Sequence, residues 1–121
     1  MTITNGTFDT ITAWIADKRG RDTLVLDLRG LSVVTDYFVL TTGGSVVQIK
    51  ALAEYLAEKM PSLGLRLLRV EGRESARWIL MDYGDMVLHL MLAEERSFYG
   101  LERLWGDAGV IGGGKNEAGT I

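Results

Sequence analysis

Four groups of residues have types and spacings that could do chemistry. The first is Gly109-Val110-Ile111-Gly112-Gly113-Gly114-Lys115-Asn116, close to a phosphate-binding loop. That chemistry needs backbone N–H groups around the phosphates, a lysine on the terminal phosphates and a hydroxyl on magnesium. Asn116 stands where the hydroxyl belongs, no strand is read before the loop, and too little chain follows for a helix. The second is Gly44-Ser45 at a strand-to-helix turn, an entry also found at nucleotidyltransferase sites. Such sites hold metal ions on two carboxylates one residue apart. The chain has no Asp-x-Asp, and Asp82 and Asp85 are separated by a turn. Capping of the following helix accounts for Ser45 without a substrate. The third is His89, the only histidine, in Val87-Leu88-His89-Leu90. A lone histidine can be a base or a metal ligand. With no cysteine and no second histidine, a metal would have only carboxylates beside it. A packed, hydrogen-bonded histidine is the simpler reading. These three groups give no catalytic residue, no metal site and no cofactor.

The fourth group is acidic and aromatic. Glu71, Glu74, Asp82, Asp85, Glu94 and Glu95 surround Trp78, Tyr83, Tyr99 and Trp105. A solvated surface with turn and cap roles explains the acids. Trp and Tyr beside such acids also suit an interface, because they supply large contact area. Residue types alone leave both readings open.

The elements that must position these groups follow from periodicity. Phe8, Ile11 and Ile15 share one helical face within residues 5–18, with Asn5 or Thr7 as cap, and Trp14 sits at the rim. Leu24, Leu26 and Leu28 alternate with Val25 and Asp27 over 23–29, which predicts a strand. Tyr37–Thr41 predicts a second strand, antiparallel to the first because the connection is short. A helix is predicted from Val46 to Met60, with Ser45 and Gln48 at capping-box spacing and Pro61 as its stop. Residues 65–70, 78–81 and 86–92 predict three further strands, the last two joined at Tyr83-Gly84-Asp85. A last helix is predicted from Ala93 or Glu94 to Trp105, with Phe98, Leu101, Leu104 and Trp105 on one side. The glycine-rich residues 109–121 have little to bury and predict a disordered tail. The result is one domain over residues 1–108. Its fold class is α/β, a mixed five-stranded sheet packed with helices in the order αββαβββα.

Size and charge narrow the function classes. At 121 residues the chain supports one hydrophobic core. A net charge of -3 argues against a broad nucleic-acid-binding surface. It leaves a basic protein partner open. The absence of cysteine permits a reducing compartment. The first residues lack the pattern of a signal peptide and no apolar run is long enough to cross a bilayer, so a cytoplasmic protein is expected.

Taken in order, these segments resemble the ribosomal silencing factor family, also called the Iojap or RsfS family. The resemblance is carried by Val25-Leu26-Asp27-Leu28-Arg29-Gly30-Leu31-Ser32, Thr35-Asp36-Tyr37-Phe38-Val39 and Thr42-Gly43-Gly44-Ser45. It continues through Glu71-Gly72, Trp78-Ile79-Leu80-Met81-Asp82-Tyr83-Gly84-Asp85, His89 and Arg96–Ala108. It covers about residues 8–108 and leaves the glycine-rich tail outside. The resemblance implies a domain distantly similar to nucleotidyltransferases without their active site, and no enzyme. It implies binding to the large (50S) ribosomal subunit at ribosomal protein uL14, a steric block to joining of the small (30S) subunit, and repression of translation when nutrients are scarce. A homodimer is the form it implies. On that resemblance the expected docking surface joins the 78–85 strand and turn to the last helix. Trp78, Tyr83 and Tyr99 would supply area, and Asp82, Asp85 and Glu95 would complement a basic ribosomal partner. Two alternatives are a nucleotidyltransferase-like enzyme and a dimeric adaptor without a ribosomal role.

Overall fold

The computed structural model of the chain describes residues 3–99 and 109–113. Helix α1 spans Asn5–Asp17, strand β1 Arg21–Asp27, β2 Tyr37–Gly43 and helix α2 Val46–Lys59. A short 3-10 turn at Met60–Leu63 leads to β3 at Arg69–Glu71, β4 at Trp78–Asp82 and β5 at Met86–Leu92. Helix α3 covers Ala93–Tyr99 and β6 covers Gly109–Gly113. The mixed α/β architecture and the predicted order hold, with one strand added. The sheet runs β3-β4-β5-β2-β1-β6. Within it β2 and β5 are parallel, and the other neighbours are antiparallel.

Period-two alternation divides the sheet into two faces. On one face Val25, Val39, Ile79, Met81, Leu88 and Leu90 pack against Phe8, Ile11 and Ile15 of α1 and Ile49, Leu52 and Leu56 of α2. Trp14 packs at the rim of this core, as expected. The other face carries a second cluster of Leu24, Leu26, Leu28 and Leu40, with Phe38 against it. The register places Trp78, Leu80 and Asp82 of β4 on this second face, beside Val87, His89 and Met91 of β5. Arg96 of α3 donates to the Thr42 hydroxyl and to the Asp22 carbonyl, which ties α3 to β1 and β2.

Four local expectations are corrected. Thr4, rather than Asn5 or Thr7, caps α1: its side chain accepts from the Thr7 N–H, and the Thr7 hydroxyl accepts from the Thr4 N–H. Threonine here fills the third-position role usually taken by glutamate or glutamine. Ser45 caps α2 by accepting from the Gln48 N–H at 3.1 Å. Gln48, however, reaches back past the cap: its Oε1 accepts from the Gly44 N–H, and its Nε2 donates to the Lys18 and Arg19 carbonyls. The strand expected over 65–70 is confined to Arg69–Glu71, the residues that pair with Leu80–Asp82 of β4, and Gly72 ends it by turning through positive φ.

The fourth concerns the C-terminal segment. Residues 109–121 were expected to be disordered, yet Gly109–Gly113 form a sixth strand, antiparallel to β1 with Val110 opposite Leu26. Composition misleads here because ladder pairing uses backbone N–H and C=O groups, which glycine supplies as well as any residue. The predicted end of the last helix, with Leu101, Leu104 and Trp105, lies outside the described residues, as do residues 114–121.

Candidate docking site

Trp78 opens β4 and is half-buried on the second face. Its indole Nε1–H donates to His89 Nδ1 at 3.1 Å, across the pair of strands. The two rings lie 5.9 Å apart. Phe38 meets the other side of His89 edge-on, with centroids 4.5 Å apart. His89 itself is 3% exposed, and burial pushes its pKa down to about 4, so the imidazole is neutral near pH 7. Its free lone pair is taken up by the indole. The ring is therefore placed as a structural acceptor rather than as a base.

Asp82 closes β4. Its Oδ1 accepts from the Gly84 N–H at 2.8 Å, and its Oδ2 lies 3.5 Å from Arg69 Nε. Gly84 takes φ 88°, as the hairpin turn requires. The Asp85 carbonyl accepts from the Asp36 and Tyr37 N–H groups, which fastens the turn to the start of β2. The Asp85 side chain is exposed, and none of the ion pairs among the described residues includes it. Along β4, Trp78 and Asp82 share a face about 13 Å apart at the usual rise per residue.

Two of the expected contact residues stand differently, and the side chain of a third lies outside the described residues. Tyr83 is 7% exposed and belongs to the helix-side core, because the alternation of Ile79 and Met81 continues through it. Its hydroxyl has no partner among the described residues, and burial raises its pKa to about 12. Glu95 is paired within the chain: its Oε2 accepts from Arg77 Nε, while Arg77 also holds Glu94 at 3.0 Å. The Glu95 hydrogen bond, followed by the carboxylate charges, raises the Arg77 pKa above its ordinary value. Tyr99 ends α3, and its side chain lies outside the described residues. The structure thus brings Trp78 and Asp82 onto one face, puts Asp85 at the end of it and Glu95 at its start, and takes Tyr83 away.

Sequence reasoning missed two features of this region. Arg77 is the clamp that neutralises the first turn of α3, and its position directly before Trp78 was the available signal. The exposed apolar residues Leu31, Val33, Val34 and Leu68 were also missed. Leu68 lies against Gly84, and the loop holding the valines is fastened to Asp85 through Asp36. All four therefore sit at the end of the sheet where β4 finishes. No helix among the described residues is long and apolar enough to cross a membrane.

Comparison with known proteins places this arrangement. The family model described as "Ribosomal silencing factor during starvation" matches residues 3–120. The match includes the glycine-rich segment that the sequence reading left outside. A ribosomal silencing factor from Bacillus subtilis is 45% identical over 92 residues, covering 76% of this chain and 78% of that one. A mouse protein named "Mitochondrial assembly of ribosomal large subunit protein 1" is 34% identical over 80% of this chain and 44% of its own. A crystal structure of a Chromobacterium violaceum protein superposes with a TM-score of 0.78 at 33% identity, covering 86% of this chain and 88% of the other. The chain belongs to the ribosomal silencing factor family.

Proposed function

We propose that this protein silences ribosomes by occlusion, without catalysis. It binds the large subunit at ribosomal protein uL14 and keeps the small subunit from joining, so that translation falls under nutrient limitation. The working unit is a single cytoplasmic domain, able to form a homodimer, with no dedicated nucleic-acid site and no membrane contact. The large-subunit wording in the mouse relative's name supports the choice of subunit.

The observation that carries the placement is the second face of β4. A half-buried tryptophan there lies beside a rigid hairpin whose Asp85 carboxylate is exposed and outside every ion pair among the described residues. An aromatic anchor with acidic flanks is the chemistry that fits a basic protein surface. Trp78 and Asp85 are the principal contacts in this reading. Asp82 and Glu95 contribute less, since Arg69 and Arg77 already offset their charge. Tyr99 joins the surface from α3.

Sedimentation with purified subunits tests the reading. The protein should travel with large subunits alone and should reduce the formation of joined ribosomes. Trp78→Ala should weaken both effects at least tenfold while the protein stays folded. A folded Trp78→Ala variant that binds large subunits as tightly as the wild type would sink the placement.

A further inference from the structure

We infer that His89 is a positioning residue for docking: by accepting the Trp78 indole N–H it holds the tryptophan in the orientation that meets the partner. This rests on the docking role of Trp78 proposed above.

The argument begins with the cost of His89. The apolar cluster of the second face is Leu24, Leu26, Leu28 and Leu40, with Phe38 against it. His89 lies on the same face, against Phe38, at 3% exposure. Its Nδ1 is the acceptor for Trp78, so the proton of the neutral ring lies on Nε2. That Nε2 is buried and has no hydrogen-bond partner among the described residues. A buried donor left unmade is a net cost, which a leucine or phenylalanine at this position would avoid. That cost offsets what the hydrogen bond to Trp78 contributes, so net stability alone does not account for the histidine. Among the described residues, the one polar contact it makes is with Trp78.

That contact does something an apolar residue could not. A tryptophan on a strand has alternative rotamers about both side-chain bonds. Its half-buried N–H needs an acceptor, which removes the orientations in which none is available. His89 supplies that acceptor from the neighbouring strand at the fixed Leu80–His89 register. Phe38 packs edge-on against His89 and restrains the imidazole in turn. The indole is thus set before the partner arrives, and binding does not have to immobilise it. Ordering one such side chain on association costs about threefold to tenfold in affinity.

The test separates positioning from folding because the two rank the variants in opposite orders. His89→Phe keeps a ring and removes both the acceptor and the unpaired donor. It also leaves the Trp78 N–H without that acceptor, so it should melt near the wild-type temperature, yet bind large subunits about threefold to tenfold more weakly. His89→Asn loses ring packing but retains an acceptor near the Nδ1 position. It should melt lower than His89→Phe and bind more tightly. In nitrogen-15 NMR spectra the Trp78 indole N–H should exchange slowly in the wild type and in His89→Asn, and faster in His89→Phe. In the Trp78→Phe background, which has no indole N–H, His89→Phe should cause no further loss of affinity.

Wild-type binding by folded His89→Phe, alongside weakened binding by Trp78→Ala, would overturn the positioning role and leave the docking role standing. Wild-type binding by Trp78→Ala would overturn both. If His89→Phe does not fold, the asparagine variant decides: affinity within about twofold of the wild type with a slowly exchanging indole supports the inference, and loss of affinity with that signal intact overturns it.

Discussion

Replacing Gly72 by alanine gives the sharpest test of how the Trp78 strand is held. Gly72 ends β3 and takes φ 82°. A Cβ built there would lie 2.0 Å from the Trp78 carbonyl oxygen and 3.1 Å from its carbon. The obstacle is backbone, so no rotamer change relieves it. Gly30 is the matched control, because it has nearly the same φ, 84°, and nothing within 4 Å of a built Cβ. Gly30→Ala should cost only the left-handed conformation, about 1 kcal/mol. Gly72→Ala bears that cost and a packing strain of about 1–3 kcal/mol besides, for a total of about 2–4 kcal/mol. With a urea slope of about 1.5 kcal/mol/M, the midpoint should fall by about 0.7 M for Gly30→Ala and about 1.3–2.7 M for Gly72→Ala. Equilibrium unfolding followed by circular dichroism measures both. Midpoints for the two variants within about 0.3 M of each other would refute the claim that the β3 turn is built against the Trp78 carbonyl.

Other expectations are smaller. Tyr83→Phe removes a buried hydroxyl that has no partner among the described residues, so thermal melting should show unchanged or slightly higher stability, by up to ~1 kcal/mol. Ser45→Ala removes the acceptor for the Gln48 N–H and should lower stability by about 1 kcal/mol in urea titration, while Ser45→Asp should restore most of it. The low His89 pKa makes stability depend on pH. In the folded state the ring resists protonation until about pH 4, whereas the unfolded chain takes up the proton near 6.5. The unfolded state therefore binds more protons between these values, and stability falls as pH drops from 6.5 toward 4. His89→Phe should abolish that component, narrowing the gap between pH 7 and pH 5 melting curves by about 2 kcal/mol relative to the wild type.

The strands that carry a strong alternating or β-branched pattern were legible in the sequence. Residues 86–92 and Tyr37 through Thr41 could be placed from residue type alone, whereas their parallel pairing was not read and shows only in the sheet register. The family resemblance was legible for a different reason: each segment is weak alone, but the ordered set is specific. The site was less legible because it depends on which face a residue takes. Tyr83 looked like a surface aromatic when the strand was ended at Met81. Extended one period further, the alternation of Ile79 and Met81 carries Tyr83 to the core. Glu95 looked available because its partner Arg77 is distant in sequence, and only the antiparallel return of β5 brings the two together. The Trp78–His89 bond was hidden likewise, since cross-strand neighbours are set by register rather than by spacing. Gly109–Gly113 escaped because side-chain composition says nothing about backbone pairing.

The pairing of β6 with β1 sets a schedule for folding during synthesis. β1 leaves the ribosome well before its outer neighbour, with β2 to β5 synthesised between them. Until β6 emerges, one side of β1 is a row of unsatisfied N–H and C=O groups, the kind of open edge that recruits strands from other chains. The sheet can start from the β1–β2 hairpin, but this edge is covered only after Gly109–Gly113 are available, a long-range contact of the slow class for a folding chain. A stalled or truncated product ending before Gly109 would carry an intact α1, α2 core beside an exposed strand. Such fragments should aggregate or pair with one another, and a fusion placed directly after Trp105 should do the same.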